Sequence, residues 1–135
     1  MIKVEKMAFV DYKKMFLLQT VIAGIYGVLF LLLPKELGEI MEFTPYTVEL
    51  AVTAQFFGVA LIGVALLCLV FSTVNDPTTL RNAGVAMIIG DGAGLLLVAY
   101  GVYINVGNLV FMSNIFLYAI LVVGFLYLLI VKPEE

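Results

Sequence analysis

The sequence predicts an all-α fold: an integral membrane four-helix bundle with a short amphipathic surface helix between its first two spans. Three observations predict it. Hydrophobic residues make up 64% of the 135-residue chain and charged residues 13%, with a mean hydropathy of +1.16. A soluble domain is about half apolar and a quarter charged. The apolar residues also gather into four runs, each long enough at about 1.5 Å per residue to cross a hydrocarbon core of about 30 Å. The breaks between the runs carry proline, asparagine, glycine and charge, which are turn and cap chemistry. A single domain, residues 1–135, holds all four spans.

Residues 1–14 form a polar lead-in with Lys3, Lys6, Lys13 and Lys14. No small-x-small cleavage pattern follows the first apolar run, so the lead-in is expected to stay on the mature protein. The first span is expected at about 15–33, ending at Pro34, which cannot donate the next helical hydrogen bond. Its apolar run is broken by Gln19 and Thr20, and Ala23 and Gly27 form a small-xxx-small pair suited to close helix approach. In the connection over residues 34–47, Leu37, Ile40, Met41 and Phe43 can share one face, with Glu36, Glu39 and Glu42 elsewhere. That pattern predicts a short amphipathic helix on the membrane surface, stopped at Thr44-Pro45.

The second span is expected at about 48–71, with Gln55 as its strongly polar residue and Ala54 and Gly58 as a second small-residue pair. Turn formers over residues 72–79 lead to the third span, about 80–104. There Ala86, Gly90 and Gly94 recur every four residues and predict a close-packing face beside Asp91. Residues 105–108 make a tight turn, and the fourth span runs over about 109–131 with Asn114 and Tyr118 inside it.

Charge sets the expected topology. Six of the seven Lys and Arg residues (Lys3, Lys6, Lys13, Lys14, Arg81 and Lys132) fall on one side, and only Lys35 on the other. Cytoplasmic loops are rich in Lys and Arg, so a multi-pass protein of the cell membrane with both termini cytoplasmic is expected. Tyr12 and Tyr127 near one boundary, and Tyr46, Tyr100 and Tyr103 near the other, fit an aromatic belt.

Asp91 is the candidate centre. Counted from Leu80 it lies about 16 Å into its span, and Tyr26, counted from Met15, lies equally deep. Tyr118, Gln55 and Asn114 count to comparable or somewhat shallower depths, so these four are expected to converge on Asp91 or just above it. An ionised carboxylate there costs about 3 kcal/mol on insertion scales. No Lys or Arg falls at matching depth, which favours a neutral or readily protonated Asp91. Three roles follow: a polar clamp between helices, a proton, cation or ligand site, or a contact with a partner subunit.

Other chemistry has little to stand on. The chain has no histidine, and Cys68 is its only cysteine, so neither a disulfide nor a thiol metal site is expected and no cofactor is implied. No basic patch suggests nucleic acid. The glycines around Asp91 lack the Lys-Ser/Thr ending of a phosphate loop.

Glycine and aromatic spacing adds one comparison. Gly27 through Leu33-Pro34, Ala54-Gln55-Phe56-Phe57-Gly58 with Gly63, Asn108, Tyr118, and Gly124-Phe125-Leu126-Tyr127 together resemble the small four-span DoxX-like membrane proteins of bacteria and archaea. The resemblance implies a four-helix membrane bundle and no particular activity. The leading expectation is therefore a non-enzymatic accessory or assembly subunit, held in the lipid bilayer beside partner subunits or a second copy. The alternative is a small transporter or ligand-binding protein built around a protonatable Asp91. A lipid-active membrane enzyme ranks last, since no nucleophile stands beside the acid.

Overall fold

The computed structural model describes residues 11–131; Lys3, Lys6 and Lys132 of the charge count lie outside them. Five helices follow in order: α1 (Tyr12–Leu32), α2 (Pro34–Ile40), α3 (Val48–Phe71), α4 (Pro77–Tyr103) and α5 (Leu109–Val131). α1, α3, α4 and α5 are long and apolar enough to cross a membrane, and the chain is a multi-pass helical membrane protein.

Local chemistry explains the boundaries. The Asp11 carboxylate accepts from the Lys14 N–H at 2.8 Å, so α1 starts three residues ahead of the apolar run. Asp76 likewise accepts from the Thr79 N–H, and Pro77 occupies the first turn of α4, which therefore begins three residues before Leu80. The Thr79 hydroxyl and backbone N–H hold the Asp76 carboxyl below the ordinary aspartate value of 3.8. α1 stops where Pro34 offers no N–H, and α2 begins on that same proline. α4 closes with Asn105 in the left-handed region at φ 60° and the Val106 N–H bonded back to the Gly101 carbonyl at 2.8 Å. Asn108 caps α5 by accepting from the N–H groups of Val110 and Phe111.

The helices pair unequally. α1 packs along α3, and α4 along α5. Gly27 and Gly58 set the first pairing: a Cβ on Gly27 would stand 2.9 Å from the Gly58 carbonyl oxygen, and one on Gly58 would stand 2.7 Å from that of Gly27. Only hydrogen side chains allow backbones that close. In the second pair the Tyr118 ring lies on Gly94 and the Phe111 ring on Gly101.

The two pairs join at the end where α1 begins and α5 ends, here called the basal end. Phe16, Cys68, Leu121, Phe125 and Leu128 are fully or almost fully buried there. The Phe16 ring sits 5.2 Å from that of Phe125 and 5.4 Å from that of Phe71. α1 thus touches α3, α4 and α5, whereas α3 and α4 lack such extended packing. The bundle is tight within each pair, lightly joined between α1 and α5, and open between α3 and α4. Large apolar side chains such as Phe56, Ile89, Leu96, Phe116 and Ile130 cover the perimeter, as a bilayer-facing surface requires.

Small-residue positions divide accordingly. Gly27 and Gly58 are buried against each other between α1 and α3, while Ala23, buried, and Ala54, half-buried, line the cavity described below. Gly94 lies under the Tyr118 ring, whereas Ala86 is exposed and a Cβ on Gly90 would meet nothing within 4 Å. Four-residue spacing drifts by about 40° per step on a helix of 3.6 residues per turn, so the stripe rotates off the α5 contact.

Candidate functional site

The open side of the bundle leads into a cavity of about 650 Å³ between the two helix pairs. That lies within the range of about 300–1,000 Å³ usual for small-molecule sites. Its wall is mostly aliphatic and aromatic, from Ile22 and Phe30 on α1, Phe57 and Leu61 on α3, Leu97 on α4 and Leu117 on α5. Its floor rests on the basal core and carries two buried polar side chains, Gln19 (5% exposed) and Asp91 (6% exposed). Its roof is α2 and the turn after it. Gly38, Met41, Phe43 and Tyr46 line it, the Phe43 ring meets Phe111 edge-on at 5.4 Å, and the Asn108 amide donates to the Ile40 carbonyl at 2.8 Å. α2 and its C-cap therefore turn Gly38 and Met41 inward over the cavity, while Ile40, expected on the same apolar face, is exposed. The Tyr46 ring fits against Gly38, and burial, with help from the carboxylates of Glu36 and Glu39, holds its phenol above the ordinary value.

The floor has specific chemistry. Gln19 Nε2 donates to Asp91 Oδ1 at 2.9 Å. That assignment fixes the amide: its nitrogen is the end that can donate to a carboxylate. Asp91 Oδ2 and Gln19 Oε1 are buried and have no hydrogen-bond partner among the described residues. Two buried acceptors at the bottom of an apolar cavity are costly unless a donor reaches them. No Lys or Arg is among the described residues that line the cavity.

The expected cluster around Asp91 is revised by this geometry. Tyr26 and Tyr118 line the cavity with Asp91, and Asn114 lines its upper wall while its amide donates to the Phe111 carbonyl of its own helix at 3.0 Å. Gln55 does not join them. It is exposed on the far side of α3 and donates to the Leu31 carbonyl at 3.3 Å. The partner of Asp91 is Gln19, which depth counting does not single out. The 2.9 Å bond pairs the eighth residue of α1 with the fifteenth of α4, so α4 begins about 10 Å lower than α1. Counting each helix from its own end assumes a common plane that these helices do not share. The one sequence signal for Gln19 is that it interrupts an apolar run, a position where a polar side chain is expected to face the bundle interior. No family model, curated protein or solved structure matches the chain, so its function is argued from these residues and their geometry.

Proposed function

We propose that the chain is a ligand-binding membrane protein that holds a small, mainly apolar molecule inside the bundle, with Asp91 and Gln19 as its polar anchor. One observation carries this reading. Two side chains more than nine-tenths buried line the floor of a cavity of small-molecule size, and each keeps one buried acceptor atom without a hydrogen-bond partner among the described residues. A clamp whose only task is to join α1 to α4 needs no cavity and leaves no acceptor unsatisfied; an amide in place of the carboxylate would join the helices with less desolvation cost. Binding and release from opposite sides would make the same site a transport site. No reaction is proposed, since no metal-ligating group or nucleophile stands beside the carboxylate among the described residues that line the cavity. The accessory-subunit reading draws on the apolar perimeter, which lipid covers as well as a partner subunit does. The DoxX-like resemblance supports the four-helix frame and leaves the ligand open.

The test uses Gly90, which faces open space beside the floor. Gly90→Phe should fill the cavity without touching the Gln19–Asp91 pair. Wild-type protein extracted in mild detergent should carry a bound small molecule detectable by native mass spectrometry, and Gly90→Phe should lose it while keeping its helicity and unfolding temperature. Wild type with no bound species, or a bound species indifferent to Gly90→Phe, would overturn the reading.

A further inference from the structure

We infer that the ligand is a lipophilic amine, its protonated nitrogen seated on Asp91 and Gln19 and its apolar body rising toward α2. The inference rests on the binding reading above and names the chemical class.

The unpartnered atoms set the head group. With Asp91 ionised, Asp91 Oδ2 and Gln19 Oε1 are both acceptors, so whatever completes the floor must bring donors. An ammonium brings up to three N–H donors and a charge opposite to the carboxylate. A carboxylate or phosphate would bring more acceptors and like-charge repulsion in a low-dielectric site. A neutral alcohol brings one donor for two acceptors. Tyr26 and Tyr118 also line the cavity, and an aromatic face within reach attracts a cation and not an anion.

The walls set the body. From Gln19 at the floor to Pro34 at the roof α1 rises about 22 Å, so the cavity is long for its volume of about 650 Å³. A single extended chain suits that shape better than a broad, compact body. Access follows from the open side of the bundle: Thr53 and Phe57 on α3 and Gly90, Ala93 and Leu97 on α4 line the cavity and are exposed. They face the region that lipid tails occupy, which is where a lipophilic amine partitions.

The experiment compares three probes with one skeleton, dodecylamine, dodecanol and dodecanoate, binding to the protein in lipid nanodiscs, with protein-free nanodiscs subtracted. Wild type should bind the amine about 10- to 100-fold more tightly than the alcohol, the span expected when a hydrogen bond to a charged group is gained. Dodecanoate should bind least. Asp91→Asn should bring amine affinity to within a few-fold of the alcohol's. If Asp91→Asn does not fold, Gln19→Leu serves instead, and the amine preference should fall several-fold. An amine bound no more tightly than the alcohol, or a preference that survives both substitutions, overturns the amine inference and leaves the cavity reading standing. Absence of binding by all three probes overturns both.

Discussion

Gln19 and Asp91 share one hydrogen bond, and each is nearly enclosed by hydrocarbon. Taking away one partner strands the other, and the stranded group's desolvation, not the lost bond alone, sets the cost. Gln19→Leu should therefore destabilise the protein by about 1–3 kcal/mol. The double variant Gln19→Leu, Asp91→Leu should cost clearly less than the two single Leu variants added together, because it leaves nothing stranded. Reversible unfolding in mixed micelles checks this, and strict additivity would show that the two side chains are energetically independent. The same pair shows how far the sequence reaches at this scale. A carboxylate among glycines in a long apolar run marks Asp91 without a structure. Its partner is not marked, because Gln19 and Gln55 are the same residue type in similar runs. Only the stagger of α1 against α4 and the rotation of α3 decide that Gln19 faces inward and Gln55 bonds the Leu31 carbonyl outside the cavity.

Elements were legible where chemistry is local. Pro34, Asp76-Pro77 and Asn108 end or start helices through groups within four residues, so the four spans and the short helix follow from the sequence to within about three residues. Which helices pair is not local, since α1 meets α3 through glycines thirty-one positions apart. The spacing within Ala23/Gly27 and Ala54/Gly58 announces a packing surface on each helix but not that the two surfaces meet. Their contact makes a direct prediction. A methyl group on Gly27 would collide with backbone, the Gly58 oxygen and the Ile62 nitrogen both at 2.9 Å, and backbone yields less easily than a side chain. Gly27→Ala should force α1 from α3 and cost about 1–3 kcal/mol, the range for overpacked contacts. Gly63→Ala on α3 is the matched control, since its Cβ meets nothing within 4 Å. Its intrinsic helix preference favours alanine, so it should be neutral or mildly stabilising. Equal effects at the two positions, measured by thermal unfolding of the solubilised protein, would mean that the α1–α3 crossing is not the tight contact described.

At the scale of the whole molecule, the bundle is two helix pairs joined at the basal end and roofed by α2. A cavity sealed below by Phe16, Phe125 and Leu128 has access from the bilayer or from beneath α2, so the side of the membrane that α2 faces decides which compartment a ligand head can reach. Charge supplies the expectation. Lys13, Lys14 and Arg81 lie toward the basal end, and Lys35, Glu36, Glu39 and Glu42 lie at the α2 end. The enrichment of cytoplasmic loops in Lys and Arg then predicts a cytoplasmic basal end and an external α2. Glu39 on α2 and Thr78 at the start of α4 are both exposed, at opposite ends of the bundle. Cysteines placed singly at these positions, with the native Cys68 fully buried in the basal core, give clean reporters. In intact cells a membrane-impermeant maleimide should label Glu39→Cys, and it should reach Thr78→Cys only after permeabilisation. The reverse pattern would invert the molecule and open the cavity roof to the cytoplasm. Labelling of both from one side would contradict four crossings and, with them, a cavity set within the membrane.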